Sequence, residues 1–174
     1  MTEIVNKVKQ SKLETVDLEK FLEGETVREL DLKQFLFQEM ILKEKDFREN
    51  IEKHDWSRYD NTWAALYCST DAIIPSWAWM LITAYLLPHA KEIVYGTESD
   101  ARQALLINKV EDFDWEKYRD KFVLLKGCSK AKVPAGAYLE ATKKLIPVAG
   151  KLMYGEACSN IPIYRKSRNG SSNT

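Results

Sequence analysis

A chain of 174 residues in which 45% are hydrophobic is long enough to bury a full core without disulfide or metal staples. Its 26 basic and 26 acidic side chains cancel to a formal net charge of zero, which excludes a global field that would recruit nucleic acid or an anionic membrane. Three cysteines cannot pair completely within the chain, and the N-terminus, MTEIVNKVKQ, lacks the continuous apolar run of a secretion signal, so the reading is of free thiols in a cytoplasmic protein.

In chain order, TVDLEKF (15–21) and TVRELDL (26–32) alternate as strands and suggest an antiparallel N-terminal extension. ILKEKDFRENIEKHDW follows as a helix, with Ile41, Phe47 and Ile51 at helical spacing and the charged LKEKDFREN face in solvent. TWAALYC is a compact apolar run suited to a buried strand. PSWAWMLITAYLL then reads as a helix with Pro75 at its first turn, and Trp63, Trp77 and Trp79 as core. The most apolar run, 73–87, holds a proline and falls short of the roughly 20 residues that cross a bilayer. KEIVYG is a second strand. TESDARQALLINKV is a second helix, opened by Thr97 and Asp100 in the pattern of a capping box. KFVLLKGC, PAGAYLEATKKLI and AGKLMYGEAC supply the third strand, third helix and fourth strand, and KSRNGSSNT reads as a disordered tail. Residues 1–166 are thus expected to form a single domain and 167–174 a polar tail.

Strand and helix alternate here without a hairpin signal, which implies an α/β fold with a mainly parallel four-stranded sheet. A flavodoxin-like order, 2-1-3-4, would put the first, third and fourth of these strands side by side. No solenoid period is evident, and the recurrence of Cys-Ser ahead of Pro reads as a local echo between strand–helix turns.

All three cysteines lie in those recurrences: CSTDAIIP, CSKAKVP and CSNIP. In the expected order Cys68, Cys128 and Cys158 meet at the C-terminal edge of the sheet. There helix N-termini favour thiolates, and open α/β sheets bind ligands. Three thiolates with a fourth donor suit zinc or an iron–sulfur cluster. Asp71 and Glu156 are the placed carboxylates, and Ser69, Ser129 and Ser159 are hydrogen-bond donors to sulfur. Each cysteine could equally pack as a small hydrophobe, and each serine could cap a turn. His54 and His89 fall at strand entrances, away from the thiols. No C-x-x-C, P-loop, G-x-G-x-x-G, G-x-S-x-G or H-E-x-x-H is present. Three functions remain: a metal or iron–sulfur cluster binding accessory protein, a metal-free thiol or sulfur-transfer protein, and an interaction scaffold. The scaffold would dock through LKEKDFREN or through Arg165 and Lys166.

EIVNKV, ILKEKDFRENIEKHDW, CSTDAIIPSWAWM, LKGCS and YGEACSNIPIYRK resemble a bacterial family known as domain of unknown function 2480, over residues from about 3 to 166. The family carries no activity to transfer. The resemblance implies a setting near sulfur-mobilisation components that build iron–sulfur clusters, and hence iron–sulfur assembly proteins as partners. It leaves the oligomeric state open to a homodimer.

Overall fold

The computed structural model describes residues 13–126 and 133–167. The chain divides into two compact units. A continuous unit spans Gly24–Leu105, and a split unit joins Met1–Glu23 to Leu106–Thr174.

The first strand of the chain, β1 (Leu13–Asp17), belongs to the split unit, and the strands of the continuous unit are β2 (Val27–Asp31), β3 (Trp63–Tyr67) and β4 (Glu92–Tyr95). They form a parallel sheet in the order β2-β3-β4. Helix α1 (Glu44–Lys53) and helix α2 (Ser76–Leu86) connect them. Phe47 and Ile51 of α1 and Ala78, Ile82 and Leu86 of α2 are fully buried with Leu30 of β2 and Ala64 of β3. Their spacing of three or four residues puts one face of each helix into this core. Ile41, expected on α1, lies before the helix and is exposed.

The split unit contains β1, β5 (Phe122–Lys126), β6 (Lys151–Glu156) and β7 (Ser159–Arg165), in the order β1-β5-β6-β7. The first three are parallel, and β7 is antiparallel to β6. Helix α4 (Ala135–Leu145) buries Ala137, Ala141 and Leu145 against this sheet's core. Helix α3 (Glu98–Asp112) carries the chain from one unit into the other. At its start, Asp100 Oδ2 accepts hydrogen bonds from Thr97 N and Thr97 Oγ1, both 2.8 Å, which is the expected cap.

The two units are copies of one plan. Adding 59 to a residue number in the α1–β4 segment gives its counterpart in the α3–β6 segment, and subtracting 14 carries β2 onto β1. Leu30, Leu32, Phe47, Ile51, Trp56, Tyr59, Ala64, Leu66, Ala78, Ile82 and Leu86 line one core, and Val16, Leu18, Leu106, Val110, Trp115, Tyr118, Val123, Leu125, Ala137, Ala141 and Leu145 line the other. The hydrogen bonds repeat as well. Trp56 Nε1 donates to Ile51 O at 3.0 Å, and Trp115 Nε1 to Val110 O at 2.7 Å. Asp31 Oδ1 accepts from Lys33 N, and Asp17 Oδ1 from Glu19 N, each at 3.0 Å. The left-handed residues correspond too: Asn61 and Asp120 have φ of 57° and 56°.

The expectation of one four-stranded sheet in flavodoxin-like order is therefore corrected. Two segments, 14 residues apart, each end in Asp-Leu, and each adds a parallel strand to a different central strand. β1 joins β5 and β2 joins β3, so neither is an antiparallel extension. The β6–β7 hairpin was unexpected because Pro162 disguises β7. Pro162 sits opposite Met153, beside a register shift on an edge strand, where a missing N–H is tolerated. Among the described residues no helix is long and apolar enough to cross a membrane. Of the expected tail, residues 168–174 lie outside the described residues.

Candidate functional site

Cys68 directly follows β3 in the continuous unit. Its Sγ lies 3.4 Å from Thr70 Oγ1, and that hydroxyl donates to Glu39 O at 2.9 Å. The thiol is half-buried against the core of its unit. Ser69 N donates to Asp31 Oδ1 at 3.1 Å and so ties this loop to the end of β2. Burial pushes the Asp31 carboxyl up, but hydrogen bonds from the Ser69 side chain and from the Lys33 and Ser69 backbones, with the Lys33 charge, outweigh it and hold Asp31 below its ordinary value. Asp71 is exposed on the same loop.

Cys158 is exposed at the turn between β6 and β7 in the split unit. Glu156 pairs with Ser159 across the hairpin head, and Gly155, one residue earlier, has φ of 120°. A side chain at Gly155 would place Cβ 2.7 Å from Ser159 O, so only glycine fits this bend. Lys126 Nζ reaches Glu156 Oε1 at 2.9 Å, which pins the end of β5 to the end of β6. Lys126 precedes Cys128 by two positions, as Glu156 precedes Cys158. Cys128 and Ser129 themselves lie outside the described residues.

Below this edge, Leu125, Tyr138, Thr142, Leu152, Met153, Tyr154 and Ile163 line an apolar cavity of about 270 Å³. The rings of Tyr138 and Tyr154 meet edge to face, 5.6 Å apart at 82°. Burial, followed by Tyr154, with Glu19 and Asp17 beyond it, pushes the Tyr138 hydroxyl up to about 12.

The structure groups the predicted residues differently from the sequence. Cys68, Ser69 and Asp71 share one loop of the continuous unit, while Glu156, Cys158 and Ser159 share one turn of the split unit. The strand leading to Cys68 has β2 and β4 as neighbours, not β5. Cys68 thus follows a strand of one sheet and Cys158 a strand of the other, so the expected row of adjacent strand ends is not formed. Among the described residues no group of three His, Cys, Asp and Glu side chains could hold a metal ion. His89 Nδ1 contacts Asp60 Oδ1 at 2.5 Å just before β4, and His54 packs in an aromatic cluster, so neither accompanies a thiol. Sequence reasoning missed the Lys126–Glu156 bridge and the paired Asp17 and Asp31 caps. The repeated words DLEKFL and DLKQFL were the available signal for those caps.

A family model described as "Protein of unknown function (DUF2480)" matches residues 2–166, and the chain belongs to this family. No curated protein and no solved structure matches.

Proposed function

We propose that this member of the DUF2480 family is a thiol-dependent accessory protein whose working groups are Cys128 and Cys158. The observation that carries the reading is the Lys126–Glu156 bridge between the ends of adjacent parallel strands. Such strands run about 4.8 Å apart, and each thiol follows its pinned residue by only two positions, about 7 Å of chain at most. A disulfide needs a Cα separation of about 4.4–6.8 Å, so the reading requires the two chain segments to converge beyond the bridge. In the proposed exchange, the exposed Cys158 thiolate attacks a client protein's disulfide and displaces one client thiolate. Cys128 then attacks the mixed disulfide. The client leaves as a dithiol, and Cys128–Cys158 is left oxidised.

Mild oxidation followed by peptide mass mapping tests this. The Cys68→Ser protein is expected to form an internal Cys128–Cys158 disulfide that dithiothreitol reverses. Formation of no such link while the protein stays folded, or faster linkage through Cys68 in wild type, would defeat the reading.

A second reading, that the same pair holds zinc or an iron–sulfur cluster for iron–sulfur assembly proteins, draws on the exposure of Cys158 and the carboxylate of Glu156 two residues before it. Two thiolates leave coordination positions open for a client's ligands, which suits handover better than storage. Anaerobic loading followed by iron, sulfide and zinc analysis separates the readings. Under the metal reading Cys128→Ser and Cys158→Ser lose the metal, and Cys68→Ser keeps it.

A further inference from the structure

The duplication supplies an internal control for the surfaces that the two copies share, and one cleft differs sharply between them. In the continuous unit, Val27, Arg28 and Glu29 of β2, Arg58 and Tyr59, and Glu98 line a polar cleft of about 240 Å³. Both carboxylates in it are engaged. Glu29 Oε1 accepts from Glu98 N at 2.8 Å, its Oε2 lies 3.5 Å from the Tyr67 hydroxyl, and Glu98 Oε1 is held by Arg102 at 2.6 Å. Asp55, within reach of the Arg58 field, has its Oδ1 bonded by Ser57 N at 3.2 Å and Ser57 Oγ at 2.6 Å.

Arg28 and Arg58, by contrast, have no carboxylate within ion-pair distance among the described residues, whereas Arg48, Arg102 and Arg119 each have one. Both guanidinium charges act on the buried Tyr59, so both lie close to the same group. Glu29, Glu98 and Asp55 act on these two like charges only through the field, without a direct ion pair, so an anion bridging both guanidinium groups gains contacts that the cleft itself does not supply.

In the split unit the matching positions are Glu14 for Arg28, Lys117 for Arg58 and Tyr118 for Tyr59. There Glu14 pairs with Lys121 at 3.0 Å, and Lys117 Nζ sits 4.1 Å from the centroid of the Phe113 ring. The tyrosine required by the shared fold is kept in both copies. The pair of free arginines occurs in one.

We propose that the Arg28–Arg58 cleft is a binding site for a phosphoryl group. The guanidinium fork donates paired hydrogen bonds to phosphate oxygens. A volume of about 240 Å³ is below the 300–1,000 Å³ usual for whole-ligand pockets, so it suits a phosphoryl group and not a nucleotide.

Calorimetric titration of the full chain with inorganic phosphate and with glycerol phosphate, at ionic strength fixed with chloride, tests the site. Saturable binding is expected. Arg28→Gln and Arg58→Gln should each weaken it about tenfold or more, and the double variant should abolish it. Lys117→Gln, in the other copy, should leave it unchanged. Tighter binding of the ester assigns a phosphoryl group carried on a larger molecule, and tighter binding of the ion assigns free phosphate. Absence of saturation with either probe up to roughly 10 mM overturns the site. So does a double variant with a native circular dichroism spectrum that binds like wild type, or a Lys117→Gln protein that loses as much as Arg58→Gln.

Discussion

Replacing His54 with Phe is expected to stabilise the protein. The ring of His54 packs against Phe35, Trp56 and Tyr59 at centroid distances of 5.2, 4.7 and 6.1 Å, and its Nε2 is buried without a hydrogen-bond partner. Its counterpart in the split unit is Phe113, which packs against Phe21, Trp115 and Tyr118 at 4.8, 4.8 and 6.2 Å. The duplicate thus shows that this aromatic cage accepts a phenyl ring. An orphaned buried polar atom costs about 1–3 kcal/mol, and the substitution removes it at nearly constant shape. Burial first, then the Arg58 charge, holds the imidazole below its ordinary value, against a smaller upward pull from Asp55. The unfolded chain therefore binds a proton before the folded one does, and wild-type stability declines as pH falls below about 6.5. The His54→Phe gain should be about 1–2 kcal/mol at pH 7.5 and widen on acidification, by at most about 1.4 kcal/mol per pH unit. Urea unfolding followed by tryptophan fluorescence, from pH 7.5 to pH 5.5, measures both terms. A loss of stability at pH 7.5, or a difference between the two proteins that is flat across that range, would refute the reasoning.

Two further substitutions test the local geometry. Gly155→Ala combines a forbidden φ of 120° with a Cβ 2.7 Å from Ser159 O, whereas Gly24→Ala, at φ of 77°, meets nothing within 4 Å. The first should cost about 2–4 kcal/mol and raise the alkylation rate of Cys158 as the hairpin head opens, and the second only about 1 kcal/mol. Equal costs in urea unfolding would contradict the clash. Asp31→Asn should flatten the acid limb of stability. The lowered Asp31 carboxyl contributes above the unfolded value of about 3.9, and the contribution is lost as pH falls through its lower folded value. Acid titrations of the two proteins that superimpose would rule this out.

Much of the architecture was legible because it is written in local periodicity. The runs around Trp63–Tyr67 and Phe122–Lys126, the helix at 76–86 and the Thr97 cap all carry their own signals. Sheet membership carries none, because nothing within TWAALYC distinguishes β2 from β5 as a neighbour. The deciding information lay in Asp17-Leu18 and Asp31-Leu32, which repeat 14 residues apart and each supply one sheet with its first strand. The duplication was obscured for a similar reason. The cysteines, the most conspicuous recurrence in the sequence, are out of register with it: Cys68 corresponds to Gly127, and Cys128 to Ser69. The cores repeat through Trp56 and Trp115, Tyr59 and Tyr118, and Pro75 and Pro134.

That mismatch separates framework from function. Where both units hold the same residue or the same hydrogen bond, the shared fold is a sufficient cause, as with the indole bonds of Trp56 and Trp115 or the caps at Asp17 and Asp31. Where they differ in chemistry while the backbone stays the same, the fold does not explain the choice. The thiols are such a difference. So are Arg28 and Arg58 against Glu14 and Lys117, and β7, which covers the edge of β6 while β4 is left as the last strand of its sheet. Because β7 exists in one unit only, the turn that presents Cys158 has no equivalent in the continuous unit. On the proposed assignments, a Cys158→Ser variant is expected to lose thiol exchange and keep phosphate binding, and an Arg58→Gln variant is expected to do the reverse.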